Sequence, residues 1–129
     1  MSSTATSSVS LGTISDAHDV LWSLKDQVVD VKTAARILKI VKGLRPHAER
    51  LSKERNDVIS QHGEKVPDKE GQYTLKGEEI IKIVTDQIKK IRDEMISIDA
   101  GLRIHANDLD EFKVSMEKLE LLEPIIQSD

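Results

Sequence analysis

The side chains best suited to metal or proton chemistry in this chain are its four histidines, His18, His47, His62 and His105. Metal binding from a helix needs ligands one turn apart: two His at i and i+4, or a Glu with a His three residues on. Neither spacing occurs. His18 has Asp16 and Asp19 beside it, and His47 has Glu49 and Glu54. These read as surface or helix-end imidazoles, with His62 placed to meet the negative end of a helix. A nucleophilic serine would need a strained turn and a His partner, and no G-x-S-x-G occurs. The six glycines are scattered, with no spacing that cradles a phosphate. Zero Cys removes thiol catalysis, Cys-ligated zinc and a disulfide scaffold. Carboxylates are plentiful, but a pair becomes catalytic only where its surroundings separate the two pKa values. The expectation is a protein that is not an enzyme and holds no metal or cofactor.

Charge placement is the feature that stands out. Between Val31 and Ala48 lie Lys32, Arg36, Lys39, Lys42 and Arg45 and no acid, a sum of +5. From Ala106 to Asp129, seven acids (Asp108, Asp110, Glu111, Glu117, Glu120, Glu123 and Asp129) stand against Lys113 and Lys118, a sum of −5. At spacings of three and four the basic set forms a stripe beside an apolar seam. Such a stripe is either a solvated face or an electrostatically guided contact. The contact would be with an acidic protein surface, another copy's C-terminal segment, or nucleic acid. Nucleic acid is disfavoured, because the net charge is −4 and the aromatics that would stack bases lie far from the stripe.

The elements that must carry these charges follow from composition and period. At 129 residues the chain fits one domain. Aromatics are 2%, only Trp22, Tyr73 and Phe112, so the core must be aliphatic. No apolar run approaches the ~18 residues that cross a bilayer. Residues 1–12 are Ser/Thr-rich and read as a flexible arm before a single helical domain over 13–129, without the basic and apolar regions of a secretory signal.

Ser15 is the expected cap of a short helix over 16–28, with Val20, Leu21, Leu24 and Val28 on one face. Asp30 is the expected cap of a second, long helix. In it Ala34, Ile37, Val41, Leu44, Ala48, Leu51, Arg55, Val58 and His62 step by threes and fours. The register holds through Gly43 and Pro46, which predicts one helix bent near Pro46; a true break at Gly43 is the competing reading. Gly63 is the expected stop. Arg55 occupies a core-type position, either with its stem packed at the rim or meeting an acid such as Glu94. Residues 64–71 read as a loop and Tyr73–Leu75 as a short extended piece. A third helix over 78–94 presents Ile81, Val84, Ile88, Ile91 and Met95, and should fold back on the second as an antiparallel hairpin. From Ile96 to Ala106 apolar residues alternate, which is strand-like, with a bulge or tight turn at Gly101. Phe112–Val114 suggests another strand, and Ser115 the cap of a last helix ending near Pro124. The fold class is mostly α, formally α+β: a long helical hairpin, a short N-terminal helix, and a small C-terminal β element with a terminal short helix.

Several segments resemble a family of small proteins encoded by tailed bacteriophages and prophages. They are "ISDAHDVLWSL", "VDVKTAARILKIVKGLRP" and "ERLSKERNDVISQHGEK", spanning about Ile14 to Gly63, and the closing "KVSMEKLELLEPII". Together they cover more than half the chain. These are patterns of helix register and turns, not catalytic signatures, and the Ser/Thr arm and Trp22 are not features of the family. The resemblance implies a phage origin and an α+β fold but no defined activity. With it, the expected function is that of a non-enzymatic structural or assembly accessory of the virion, associated with the head–tail junction or tail. It would act through protein–protein contacts, with other phage structural proteins or with further copies of itself as partners, in the host cytoplasm or the virion. The alternative is a host-takeover or counter-defence protein that sequesters a host factor or a small nucleotide signal.

Overall fold

The structure, a computed structural model, describes residues 7–127. Along the chain run β1 (Ser7–Ser10), α1 (Leu11–Ser23), α2 (Val31–His62), β2 (Glu64–Lys65), β3 (Tyr73–Thr74), α3 (Glu78–Arg92), β4 (Met95–Ile98), β5 (Ile104–His105), α4 (Met116–Leu122) and β6 (Ile126–Gln127). Single 3-10 turns occupy Ala100–Leu102, Ala106–Leu109 and Glu123–Ile125. The fold is mostly α with small two-stranded sheets, as the sequence predicts.

α1 begins about a turn earlier than expected. Ser10, not Ser15, caps it, its hydroxyl accepting the Thr13 N–H at 3.2 Å. Leu11, Ile14 and Ala17 extend the stripe of Val20, Leu21 and Leu24 upstream, and all six are buried. The helix ends at Ser23, so Val28 is outside it and 99% exposed. The expected arm is likewise corrected over 7–12: β1 pairs antiparallel with β4, and Leu11 N–H donates to the Glu94 carbonyl. Residues 1–6 of that arm lie outside the described residues. Gly12 lets α3 close on this helix, since a Cβ there would come within 2.9 Å of the Arg92 side chain, which reaches Asp16 at 2.8 Å.

α2 runs unbroken through Gly43 and Pro46 to Gly63. Pro46 is exposed, so the ring and the backbone bond it forfeits fall on the solvated side. Within the expected seam Ile37, Val41, Leu44, Ala48, Leu51 and Val58 are buried, joined by Ile40. Arg55 is exposed instead, and Glu94 pairs with Arg50 at 2.8 Å. That pair fixes one end of the α2–α3 hairpin. The other end is closed by β2 and β3, with Glu64 opposite Thr74, and by Lys76 to Glu64 at 2.8 Å. The antiparallel hairpin is therefore present, but its seam is thin. Only Val84 of α3 is buried, while Ile80, Ile88 and Ile91 are half-buried. Ile81, expected in the seam, is 46% exposed, because Ile80 takes the inward position one residue earlier.

The main core lies elsewhere, where α1 and the first half of α2 meet the C-terminal segment. It gathers Val9, Ile98, Ile104, Leu109, Leu122 and Ile125 around Ile40 and Leu44. Each fully buried aliphatic side chain there contributes roughly 1.5–3 kcal/mol. The expected alternation over 96–106 splits in two. β4 takes β1 as its partner, and β5 pairs parallel with β6, Ile104 opposite Ile126. Phe112–Val114 is not a strand. Ser115 does cap the last helix, accepting the Lys118 N–H at 3.2 Å, and α4 ends before Pro124.

Candidate functional site: an apolar groove under the basic stripe

Three side-chain ties hold the C-terminal segment against the start of α2. Gln27 brackets the Lys113 backbone, donating to its carbonyl at 3.0 Å and accepting its N–H at 2.9 Å. Glu111 accepts the Asp30 N–H at 3.0 Å and the Thr33 hydroxyl. It therefore caps α2 in place of the Asp30 side chain, which makes no capping bond. The Thr33 hydroxyl first, and then the Asp30 amide, hold the Glu111 carboxyl below the usual carboxylate range. Arg36 donates to the Gly101 carbonyl at 3.1 Å and the Arg103 carbonyl at 2.9 Å, and lies 3.4 Å from Asp108.

These ties set Phe112 beside α2 and leave a cavity of about 270 Å³ between the end of α1, the 24–30 loop and the first three turns of α2. Its walls are chiefly apolar, with Trp22, Leu24, Val29, Ile37, Leu38 and Phe112 prominent, and none of the lining residues is acidic. Trp22 forms one lip and is 41% exposed. Lys25 and Arg45 both stack on its indole, 5.4 Å and 4.9 Å from the ring centroid. Each such contact contributes about 0.5–1 kcal/mol at an exposed site and holds the ring in place. A half-open apolar slot with an aromatic lip and cations at its edge can accept an apolar side chain flanked by acids.

The basic stripe is divided by this arrangement. At 3.6 residues per turn its members step across the outer side of α2 from one flank of the seam to the other. Arg36 at one flank holds the C-terminal backbone, and Arg45 at the other covers Trp22. Lys32, Lys39 and Lys42 between them are exposed, with no ion pair among the described residues. The acidic set divides too. Asp108 accepts the His105 N–H at 2.9 Å and faces Arg36, and Glu111 caps α2. Asp110, Glu117, Glu120 and Glu123 are exposed, and Asp129 lies outside the described residues. The two charge runs thus meet within one molecule, at Arg36–Asp108 and at the α2 N-terminus. The sequence reading missed Trp22, Gln27 and Phe112 as parts of the site; the signal available was a Trp in a chain nearly devoid of aromatics.

The histidines are dispersed. His18 Nδ1 is 3.0 Å from Asp19, and its Nε2 is buried with no partner among the described residues. His105 sits at the start of the 106–109 turn, His47 is half-buried along α2, and His62 is in the last turn of α2. The described residues contain no cluster of three His or acids placed to hold a metal ion, and no helix long and apolar enough to cross a membrane. No protein-family model, curated protein or solved structure matches this chain.

Proposed function

We propose that this chain is a non-enzymatic accessory protein of tailed-phage particle assembly that works by seating a partner protein in the Trp22 groove. The observation carrying this reading is the groove itself: an apolar slot, free of acids, whose lip carries the exposed Trp and two cations. Partner binding draws most of its energy from such central apolar and aromatic anchors, with surrounding charge setting specificity and encounter rate. The phage setting is supported by the resemblance of the helical segments, and under this reading the protein acts in the host cytoplasm or the virion.

A photo-crosslinking residue in place of Leu38, on the groove wall, tests both parts in infected cells. Crosslinks to head, tail or connector proteins, together with the chain's presence in purified particles or assembly intermediates, are the expected result. Absence from particles and intermediates, with crosslinks only to a host protein, overturns the assembly role and favours a host-directed binder.

A further inference from the structure

The outward face of α4 carries the complement of the groove. Met116, Leu119 and Glu120 of α4 stand at i, i+3 and i+4, and the C-cap Glu123 follows at i+7 in helical conformation, so one face shows two apolar side chains beside two carboxylates. Met116 is 88% exposed and Leu119 45%, and both glutamates are exposed. Leu122, on another face, is fully buried and anchors the helix to the core. The groove offers the reverse pattern: an apolar slot with Lys25 and Arg45 on its Trp22 lip, and Lys42 one turn along α2 from Leu38. Asp26, Asp30 and Glu111, the acids adjacent in sequence to lining residues, are not themselves among them.

A molecule's own α4 does not fill its own groove. α4 sits against a different face of α1, where Asp16, Asp19, Val20 and Ser23 border a separate cleft with Glu117, Lys118 and Leu121. The groove is bordered instead by Leu21, Trp22, Leu24 and Lys25. Two complementary surfaces on different sides of one chain make a head-to-tail contact, which closes into a ring or extends as a filament.

We propose that the occupant of the Trp22 groove is α4 of a second copy of this chain, with Met116 and Leu119 in the slot and Glu120 and Glu123 against Lys25, Lys42 and Arg45. This rests on the reading of the groove as a protein-binding surface and names its partner. Each copy added at an end leaves one unfilled groove or one free α4 for the next, until a ring closes.

Sedimentation of the full chain tests the inference, with two variants that alter exposed side chains only. Leu38→Glu blocks the groove, and Met116→Lys with Leu119→Lys spoils α4; circular dichroism checks that each keeps the native helix content. The wild-type chain is expected to associate with rising concentration, and to do so roughly tenfold more weakly at about 0.5 M salt than at low salt. Each variant alone is expected to stay monomeric. Mixed in equal amounts they should form a one-to-one pair and nothing larger, because one intact groove then meets one intact α4. A wild-type chain monomeric at about 1 mM and low salt overturns the inference. So does association indifferent to Leu38→Glu, or a mixture that stays monomeric. If the wild-type chain is monomeric while the crosslinker at position 38 still captures particle proteins, the second-copy inference falls and the binding groove stands.

Discussion

Gly43 sits in the middle of a 32-residue helix, where an isolated glycine costs about 1 kcal/mol relative to alanine. On propensity alone, Gly43→Ala should stabilise the protein. The structure predicts the opposite. A Cβ at this position would collide with one methyl carbon of Leu102 and come within 3.1 Å of the other. Leu102 ends the 3-10 turn whose neighbouring carbonyls, at Gly101 and Arg103, receive Arg36. Moving that turn therefore loosens more than one contact. Overpacking of this kind costs roughly 1–3 kcal/mol, so the net change in the native background should be a loss of about 1 kcal/mol. Leu102→Ala removes all three atoms that the new Cβ meets most closely, and alone should cost about 1–2 kcal/mol, because Leu102 is only half-buried. In that background Gly43→Ala should recover its propensity gain and stabilise by about 1 kcal/mol. The sign reversal corresponds to a coupling of about 2 kcal/mol, well above the scatter of additive sites. Urea unfolding of the four proteins, followed by helix circular dichroism, measures the cycle. If Gly43→Ala stabilises the wild type, or shifts both backgrounds equally, close packing of Leu102 on a side-chain-free helix face is the wrong account.

Arg36→Met should cost about 1–2 kcal/mol, discounted for its partly exposed ion pair, whereas Lys39→Met one turn away should stay within about 0.5 kcal/mol. Equal effects in urea melts would show that Arg36 does not fasten the C-terminal segment. Glu111 and Glu94 both have carboxyls held below their ordinary values, by Thr33 and by Arg50 respectively. Their stabilisation is full above the unfolded-state value of about 4.3 and is lost as pH falls through the lowered folded-state values. Glu111→Gln should therefore be less stable than wild type at neutral pH, with the gap closing below about pH 4; a gap that is constant through acid would refute the capping role. His18→Leu should stabilise by about 1 kcal/mol in thermal melts, since it removes a buried nitrogen without a hydrogen-bond partner among the described residues. A loss of that size would show that this nitrogen is satisfied.

What was legible in the sequence was whatever depends on neighbours within one or two turns. The three-four stepping from Ile37 to Val58 predicted α2, and Ser115 and Gly63 marked their helix ends correctly. The α2–α3 hairpin followed because each helix carried a stripe, although a one-residue shift between Ile80 and Ile81 was beyond a pattern in which both are isoleucine. The alternation over 96–106 was genuine but could not name its partners. β4 pairs with a strand some ninety residues earlier and β5 with one at the far end of the chain, and pairing over such separations leaves no local signature. Ser10 and Ser15 are equally good caps by residue type. The choice between them was made by Leu11, Ile14 and Ala17, buried against segments distant in sequence.

The charge asymmetry shows why composition alone misjudges a surface. A run of +5 and a run of −5 look like two faces awaiting partners, yet folding lays the two runs partly against each other. Arg36 and Asp108 meet, and Glu111 adds a second carboxylate beside Asp30 at the positive end of α2, whose first turn carries no acid. What is left over is more specific than the sums. Lys42 and Arg45 stand near an apolar slot, and Glu120 and Glu123 flank exposed Met116 and Leu119. Charges satisfied within the molecule cannot steer a partner; those beside uncovered apolar surface can, because there electrostatic encounter leads to burial. Neutralising Arg36 should therefore change stability and leave association rates alone, whereas neutralising Lys42 should slow association and leave stability alone.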